Sequence, residues 1–467
     1  MNKLPVIAIF DFGRTNKKFF LFDEQYKIVY EKTVQLTDTV DEDGDSCEDI
    51  EGLRQNIFDS LKEASANENF CIKAINISAY GASFVYIDES GKFLTPLYNY
   101  LKKYPTLLFR QFYDTYGGEI NFSHATASPV LGSLNSGMQL YRIKYEQPLI
   151  FSTIKYALHL PQYLSYLLTG VAASDITSIG CHTNLWNFKE NDYHHWVNDE
   201  RMIEKLAPVV EADKVFGTIV EGNNYSVGIG LHDSSAALIP YLTNFHEPFI
   251  LISTGTWCIS LNPFNNTTLT THELGNDCLC FLSFKNKQVK SSRLFAGNEH
   301  EQQVKRIAAH FNTDKLSYKT IAFDASIIQK LQLVNTQQYE FENLQSSIFA
   351  QRNLDDFVSD IEAYHQLMLD IVQQQCISTR LILNGPAVNR IFVDGGFSKN
   401  SLYMNLLAIY FPEMEIFAAS MPQASAVGAA LAIHSSWNTK PLPTNIIDLK
   451  YFAAKVNQHS LSQRKKL

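Results

Sequence analysis

Several features that would indicate a membrane, secreted or nucleic-acid-binding protein are missing from this sequence of 467 residues. It has no run of 18 apolar residues that would span a bilayer, and its first residues lack the basic segment, apolar run and cleavage site of a secretion signal. The formal net charge is −9 and the Lys and Arg residues are scattered, so no broad basic surface for nucleic acid is expected. We therefore expect a globular, cytoplasmic protein that binds neither membranes nor nucleic acid.

Cysteines in C-x-x-C spacing are also absent, and the total of seven is odd, which argues against a disulfide framework. Cys278 and Cys280 are two residues apart, on one face of a predicted strand, and Cys181 precedes His182. A zinc site is one interpretation of these residues. The alternative that we favour is reduced cysteines packed in the core.

The length favours two domains, each large enough to bury its own core. We place the boundary near residues 240–247, which gives an N-terminal domain of residues 1–243 and a C-terminal domain of residues 244–467. The region 118–224 is rich in Tyr, His and Leu, and we expect it to be a helical insertion in the first domain.

An apolar strand, a small polar loop and a second apolar strand occur twice in the chain. The first copy runs from Val6 to Phe22, with a third strand at 27–36, a helix starting near Ile50 and a strand at 72–78. The second copy begins with PFILI-STGT-WCISL, and Cys278–Phe284 is expected to supply its third strand. This order resembles the ribonuclease H-like core of actin-like ATPases, and the repetition predicts an α/β protein with two such domains and a cleft between them.

The loop in the first copy carries groups suited to phosphate and metal. Asp11 ends the buried strand, and backbone amides from Gly13 onward, with the side chains of Thr15 and Asn16, are available to phosphate oxygens. A carboxylate beside phosphate is a typical Mg²⁺ ligand. A simple hairpin turn is the alternative interpretation.

Two glycine-containing loops in the second half also carry groups suited to binding a nucleotide. The segment Ser253–Thr256 has Gly255, which permits close backbone approach, and two threonine hydroxyls. The segment Val393–Asn400 ends a strand and starts a helix, so its glycines are expected to pass against a purine ring. The dinucleotide spacing G-x-G-x-x-G is absent there, and the chain has no P-loop, which argues against both of those nucleotide-binding classes.

A single carboxylate, Asp233, stands at the start of a small-residue helix near the predicted domain boundary. One interpretation is a helix cap. The other is a general base that accepts the proton of an attacking sugar hydroxyl.

Taken in order, D-x-G-x-T, H-D-S, S-T-G-T-W, V-D-G-G and Q-A-S-A-V-G-A-A resemble the FGGY carbohydrate kinases over almost the whole chain. The resemblance implies a sugar-binding N-terminal domain, an ATP-binding C-terminal domain and Asp233 as the catalytic base. It implies a magnesium-facing Asp11 and ATP contacts from Thr15, Asn16, Lys18, Thr254, Gly255, Thr256, Gly395, Gly396 and Asn400. Either Gln302 or Gln303, in a helix beginning near Ala296, is also expected to approach ATP.

Within the family, the sugar-facing segments most resemble those of rhamnulokinases. This resemblance implies substrate contacts from Gly81, Ala82, Phe84, His232, Asp233 and Ser234. Two features depart from the pattern: the segment 99–102 lacks the usual Tyr-Arg-Asp, and Arg14 occupies a loop position where many members have a small residue.

The expected activity is transfer of the γ-phosphate of ATP, with Mg²⁺, to a hydroxyl of a ketose such as L-rhamnulose or L-fuculose. A pentulose (xylulose or ribulose) and glycerol are alternative acceptors, and a homodimer is left open. The rival from another class is an actin-like or chaperone-like ATPase that transfers nothing to a sugar. Such a protein would share the phosphate loops but would not need the H-D-S segment.

Overall fold

The computed structural model describes residues 3–220, 222, 224–334, 344–421 and 423–453. Its strands are, in chain order, β1 (Leu4–Phe12), β2 (Lys17–Asp23), β3 (Ile28–Val34), β4 (Thr39–Val40), β5 (Ser46–Cys47), β6 (Phe70–Ala79), β7 (Phe84–Ile87), β8 (Tyr156–His159), β9 (Ser174–Asp175), β10 (Trp186–Asn187), β11 (Asp192–Tyr193), β12 (Val209–Val210), β13 (Val215–Gly217), β14 (Ser226–Gly228), β15 (Leu231–His232), β16 (Phe249–Thr254), β17 (Cys258–Asn262), β18 (Cys278–Leu282), β19 (Gln288–Leu294), β20 (Arg390–Gly395), β21 (Glu415–Ser420) and β22 (Asp448–Phe452). Its helices are α1 (Ile50–Ala66), α2 (Thr106–Thr115), α3 (Glu119–Thr126), α4 (Ser136–Glu146), α5 (Pro148–Thr153), α6 (Leu160–Thr169), α7 (Ile176–Ile179), α8 (Trp196–Asp199), α9 (Asp233–Asn244), α10 (Thr271–Gly275), α11 (Ala296–Phe311), α12 (Ala325–Val334), α13 (Asp360–Arg380), α14 (Ser401–Tyr410) and α15 (Ala424–Ala432).

The N-terminal sheet has the order β13-β14-β6-β1-β2-β3, with β15 also paired to β6. Strand β1 is antiparallel to β2 and parallel to β6. The apolar run of β1 is buried on both faces, as expected for a central strand. Ile7 and Ile9 enter one core, whereas Val6, Ala8 and Phe10 enter the core that also contains the buried side of α1.

The C-terminal sheet, of order β18-β19-β17-β16-β20-β21-β22, repeats this plan. Strand β16 is antiparallel to β17 and parallel to β20, as β1 is to β2 and β6. The two-domain α/β prediction is therefore confirmed. The prediction for the third strand of the second copy was wrong, because β19 pairs with β17 while the strand at Cys278–Leu282 lies outside β19, at the sheet edge. Apolar periodicity identifies a strand but does not give its pairing order.

Helices α9 and α15 join the two halves. Both contribute to one core that includes side chains from β1 and β2 and from β16, β17 and β18. The helices touch at Gly428, where an added Cβ would lie 2.6 Å from the carbonyl carbon of Ala236. Glycine is therefore required for this crossing, and the N-terminal ends of both helices are positioned by it.

The accessory region of the first domain has its own core, formed by residues between Phe84 and Leu206 with Leu282. It therefore begins well before the predicted limit of residue 118. Its end also differs from the prediction, because Val215–Gly217 pairs with β14 in the main sheet. A three-residue strand has too few positions to show a periodicity in the sequence.

The chain passes from α9, which ends at Asn244, to β16, which begins at Phe249. The predicted boundary between residues 243 and 244 falls at the end of this helix and stays a prediction, since α15 returns to pack on β1 and β6. All seven cysteines are free, and six of them are buried. In the described parts of the chain, no helix combines the length and apolarity that crossing a bilayer would require.

Candidate active site

The first polar loop lies between β1 and β2, and a buried lysine donates hydrogen bonds to its backbone. The Gly13 amide donates to the carbonyl of Asn16 at 3.1 Å. The buried Lys17 ammonium donates to the carbonyls of Gly13 and Arg14, at 2.7 and 3.1 Å, and pairs with the Glu48 carboxylate at 2.7 Å. Lys17 thus fixes the loop carbonyls on the buried side. Lys17 belongs to none of the predicted site residues, although it follows the loop directly.

The remaining side chains of the loop differ in their exposure and in their hydrogen-bond partners. Thr15 is exposed, and the Asn16 amide oxygen accepts from the side chain of Gln35 at 3.2 Å. The Arg14 guanidinium donates twice to the Asp38 carboxylate, at 2.9 and 2.5 Å. The large side chain of Arg14 is therefore held by an ion pair with Asp38.

Asp11 and its strand neighbour Lys18 meet the amino end of α15. The hydroxyl of Ser425 donates to the Asp11 carboxylate at 2.9 Å, and the Lys18 ammonium donates to the side chain of Gln423 at 3.0 Å. Burial raises the pKa of Asp11 to about 6, the Ser425 bond opposes that rise, and the nearby Asp233 carboxylate adds to it. Two carboxylates from separate elements, with one lysine, therefore face the same small region.

Asp233 is the first residue of α9 and is the less buried of these two carboxylates. Its side chain is 35% exposed, and one carboxylate oxygen accepts from the Ser234 amide at 2.6 Å. The ring nitrogen Nε2 of His232 lies 3.4 Å from the same oxygen. Burial lowers the pKa of His232. A Cβ at Gly81 would lie 2.8 Å from the His232 ring, so the glycine allows the β6–β7 turn to approach the histidine.

The remaining sugar-segment residues are buried near this turn. The Ala82 carbonyl accepts from the side chain of Gln139 on α4 at 2.8 Å. The Gln139 amide oxygen is buried and has no hydrogen-bond partner among the described residues. Phe84 is fully buried, and its ring stacks on His159 with centroids 4.0 Å apart. Contact between Phe84 and a sugar would require this stack to move.

The second polar loop, after β16, is packed against the start of α11. Gly255 and Thr256 are exposed, and the Thr256 carbonyl accepts from the Asn298 amide at 3.1 Å. An added Cβ at Gly297 would lie 2.9 Å from the Gly255 carbonyl carbon, so the helix approaches the loop closely. Gln302, further along α11, is exposed, and Gln303 is buried.

The second loop is also tied to the Gly395–Gly396 turn. The Thr254 hydroxyl donates to the Asp394 carbonyl at 2.5 Å, and the Thr254 carbonyl accepts from the Gly396 amide at 2.9 Å. Gly395 has a φ of +89°, which favours glycine. The Asp394 carboxylate accepts from the hydroxyl of Tyr241 on α9 at 3.0 Å. The helix that begins with Asp233 is thereby joined to the turn predicted to hold adenine.

The Asn400 side chain stabilises the fold through hydrogen bonds. Its side-chain oxygen accepts from the amides of Leu402 and Tyr403, at 3.0 and 3.2 Å, and so caps α14. Its amide nitrogen donates to the hydroxyl of Tyr364 at 2.8 Å. Any contact with a nucleotide would therefore come in addition to these bonds.

One cluster of carboxylates occurs away from these loops within the described residues. Asp41, Asp43 and Asp45 surround the Lys102 ammonium at 2.5, 2.8 and 3.0 Å. The lysine itself supplies the positive charge, and it anchors the segment in which the sequence departs from Tyr-Arg-Asp. The cysteines do not form a group of metal ligands in the described chain.

Two family models account for most of the chain. Residues 6–239 match the N-terminal domain of the FGGY family of carbohydrate kinases, and residues 246–441 match the carbohydrate kinase FGGY C-terminal domain. The chain belongs to the FGGY carbohydrate kinase family. The family resemblance seen in the motifs is thus confirmed.

Curated relatives match over part of their length. A rhamnulokinase from Mannheimia succiniciproducens is 27% identical over 176 residues, 37% of this chain and 36% of the relative. A rhamnulokinase from Yersinia pestis (strain Pestoides F) is 23% identical over 287 residues, 57% of this chain and 56% of the relative. The aligned part of this chain thus spans between about a third and just over half of these relatives.

Solved kinase structures match over nearly the full chain. A carbohydrate kinase from Novosphingobium aromaticivorans has a TM-score of 0.79 at 20% identity, covering 98% of each chain. A ligand-bound xylulose kinase from Lactobacillus acidophilus has a TM-score of 0.79 at 16% identity, covering 99% of this chain and 96% of the other. Glycerol kinase from Plasmodium falciparum, solved with ADP, has a TM-score of 0.75 at 16% identity, covering 100% and 97%. These likenesses establish the fold.

Proposed function

We propose that this FGGY kinase transfers the γ-phosphate of ATP to a hydroxyl of a ketose, with Asp233 as the general base. The observation that carries the proposal is the meeting of Asp11, Lys18 and Asp233 at the amino ends of α9 and α15. Phosphoryl transfer depends mainly on positioning and on stabilising charge, and this arrangement offers both at one place.

The roles of the chain's own residues follow from their contacts. Asp233 accepts the proton of the attacking hydroxyl, and its partial exposure makes it accessible to that hydroxyl. The loops at Thr15 and at Gly255–Thr256, whose residues are exposed, bind phosphate oxygens, with Lys18 as a positive charge. The Gly395–Gly396 turn passes against the adenine, and exposed Gln302 approaches the nucleotide.

Asp11 has the chemistry expected of a magnesium ligand. Its carboxylate is buried beside a second carboxylate, and the resulting rise in its pKa is what a bound cation would reverse. When bound, the ion would neutralise charge on the ATP phosphates. The Ser425 hydroxyl orients the Asp11 carboxylate for this role.

For the acceptor, we propose a six-carbon deoxyketose, with L-rhamnulose first and L-fuculose second. The support is the rhamnulokinase resemblance of the segments around Gly81 and His232–Ser234, together with the partial sequence similarity to rhamnulokinases. A methyl group in an apolar pocket contributes only about 1 to 3 kcal/mol, so discrimination against xylulose, ribulose or glycerol is expected to be modest. A cytoplasmic location and a possible homodimer stay predictions.

The test of the base is Asp233→Asn in the full-length protein. It should lower kcat by about 10² to 10⁴ and leave the affinity for ATP nearly unchanged, because the amide retains the shape but cannot take the proton. Full activity in a folded Asp233→Asn protein would exclude this role. The matched control is Asp199→Asn, which changes an exposed carboxylate outside the site.

The acceptor is tested by kcat/KM for L-rhamnulose, L-fuculose, D- and L-xylulose, D- and L-ribulose and glycerol with ATP and magnesium. If a pentulose or glycerol exceeds both deoxyketoses by more than tenfold, the deoxyketose proposal is wrong and the kinase proposal stands. ATP turnover that no sugar stimulates would instead favour the actin-like or chaperone-like alternative.

A further inference from the structure

His182 lies where three parts of the molecule meet. It follows α7 in the accessory region, and its ring centroid is 6.1 Å from that of His232 and 6.3 Å from that of Phe281 on β18. His232 precedes Asp233 in the sequence, so His182 lies beside the neighbour of the proposed base. Only 9% of His182 is exposed.

The His182 imidazole has no hydrogen-bond partner in the described chain. Its Nδ1 atom is buried and unpaired, as is Nδ1 of His232. The neighbouring His159 differs, because its Nε2 is 2.9 Å from the hydroxyl of Ser136. Leaving a buried polar atom unpaired is unfavourable, and native structures contain few such atoms. Two unpaired ring nitrogens beside the base therefore indicate a missing polar partner.

Burial lowers the pKa of His182 well below its usual value. A neutral imidazole carries one donor and one acceptor, and a sugar hydroxyl can pair with either. A phosphate group would instead favour a charged ring or a lysine. The chemistry of His182 therefore fits the sugar rather than ATP.

The backbone around His182 is held rigidly. The Asn135 side chain donates to the His182 carbonyl at 2.8 Å, and the Leu282 amide donates to the Gly180 carbonyl at 2.7 Å. A Cβ on Gly180 would lie 2.6 Å from Cγ of Leu282, so the segment is packed tightly on β18. The backbone that carries the imidazole is thus held in place before any ligand binds, which favours selectivity.

We propose that His182 is a sugar-binding residue that hydrogen-bonds a hydroxyl of the acceptor, next to the hydroxyl bound by His232 and deprotonated by Asp233. This inference rests on the proposed kinase function and extends its sugar site. His182 selects for an acceptor that carries a hydroxyl at this second position. Gln139, whose amide oxygen is also unpaired, borders the same turn at Ala82.

The test uses His182→Phe, which replaces the imidazole by an apolar aromatic ring without hydrogen-bonding atoms, and His182→Gln, which keeps polar atoms. The matched control is His195→Phe, at an exposed histidine. For the best acceptor of the sugar panel, we expect His182→Phe to raise both the KM and the calorimetric Kd measured without ATP about tenfold or more. We expect a smaller rise for His182→Gln, less than a twofold change in the KM for ATP, and no effect of His195→Phe.

Deoxy analogues of the same sugar separate a direct bond from a packing effect. The analogue lacking the partner hydroxyl should bind wild type and His182→Phe equally weakly, while the other analogues keep the tenfold difference. Unchanged sugar affinity in both variants, or an equal loss for every analogue, would overturn the inference while leaving the kinase proposal intact. A wild-type protein that binds no sugar of the panel would overturn both. If His182→Phe does not fold, the same analogue comparison with His182→Gln decides.

Discussion

The contact between α9 and α15 makes Gly428→Ala a sharp test of how the active site is assembled. The new methyl group would lie 2.6 Å from the carbonyl carbon of Ala236, and closer still to its oxygen, whereas ordinary contacts begin at 3.4 Å. The clash is with backbone, so no side-chain rotation relieves it. The helices would have to separate by about 1 Å, and overpacking of this kind costs about 1 to 3 kcal/mol.

The displacement matters because each helix begins at the site. Helix α9 begins with Asp233, and Gln423 and Ser425 at the start of α15 bond Lys18 and Asp11. A shift of about 1 Å in reacting groups can lower a rate by about 10²-fold. We therefore expect Gly428→Ala to lower kcat by about 10 to 100 times, more than its effect on either KM.

The assay is steady-state kinetics together with thermal unfolding of Gly428→Ala, wild type and a control, Gly275→Ala. An added Cβ at Gly275, the last residue of α10, meets nothing within 4 Å. The control should match wild type, whereas Gly428→Ala should melt several degrees lower. If Gly428→Ala matches its control in both kcat and melting temperature, the proposed link between this helix crossing and the site is refuted.

Two further predictions concern the carboxylates of Asp11 and Asp394. Burial raises the pKa of Asp11 to about 6, so ionisation of Asp11 destabilises the folded protein as the pH rises from about 4 to 6. The Asp11→Asn protein should therefore be inactive but more stable than wild type at pH 8, by up to about 3 kcal/mol of unfolding free energy. Urea unfolding without nucleotide should show this gain shrinking toward pH 4, and a gain that does not change with pH would contradict the assignment. Tyr241→Phe removes the donor to Asp394 and should raise the KM for ATP several-fold and lower the unfolding free energy by about 1.5 to 3 kcal/mol. Tyr104→Phe, which loses a bond of equal length to a backbone carbonyl, is its control, and equal ATP KM values in the two variants would count against a role in the nucleotide turn.

Local motifs made much of the fold and part of the site predictable. The loops after β1, β16 and β20 each follow a buried apolar strand, so strand, loop and polar groups are contiguous in the sequence. The repetition of strand, loop and strand indicated two related sheets, and both sheets are present. The edge strand Cys278–Leu282 was misassigned because pairing order depends on the whole sheet and leaves no mark on a single strand.

Local patterns of residues were enough to predict the two-domain α/β fold, the family and the segments in which polar groups end strands, because each depends on neighbouring residues. Contacts between distant groups could be seen only in the folded molecule. Lys18 bonds Gln423, which is 405 positions away, and Lys102 pairs with Asp41, which is 61 positions earlier. The unpaired nitrogen of His182 is likewise visible only once the domains pack around it. Such contacts arise from helix crossing and sheet packing, which bring together residues that share no local pattern.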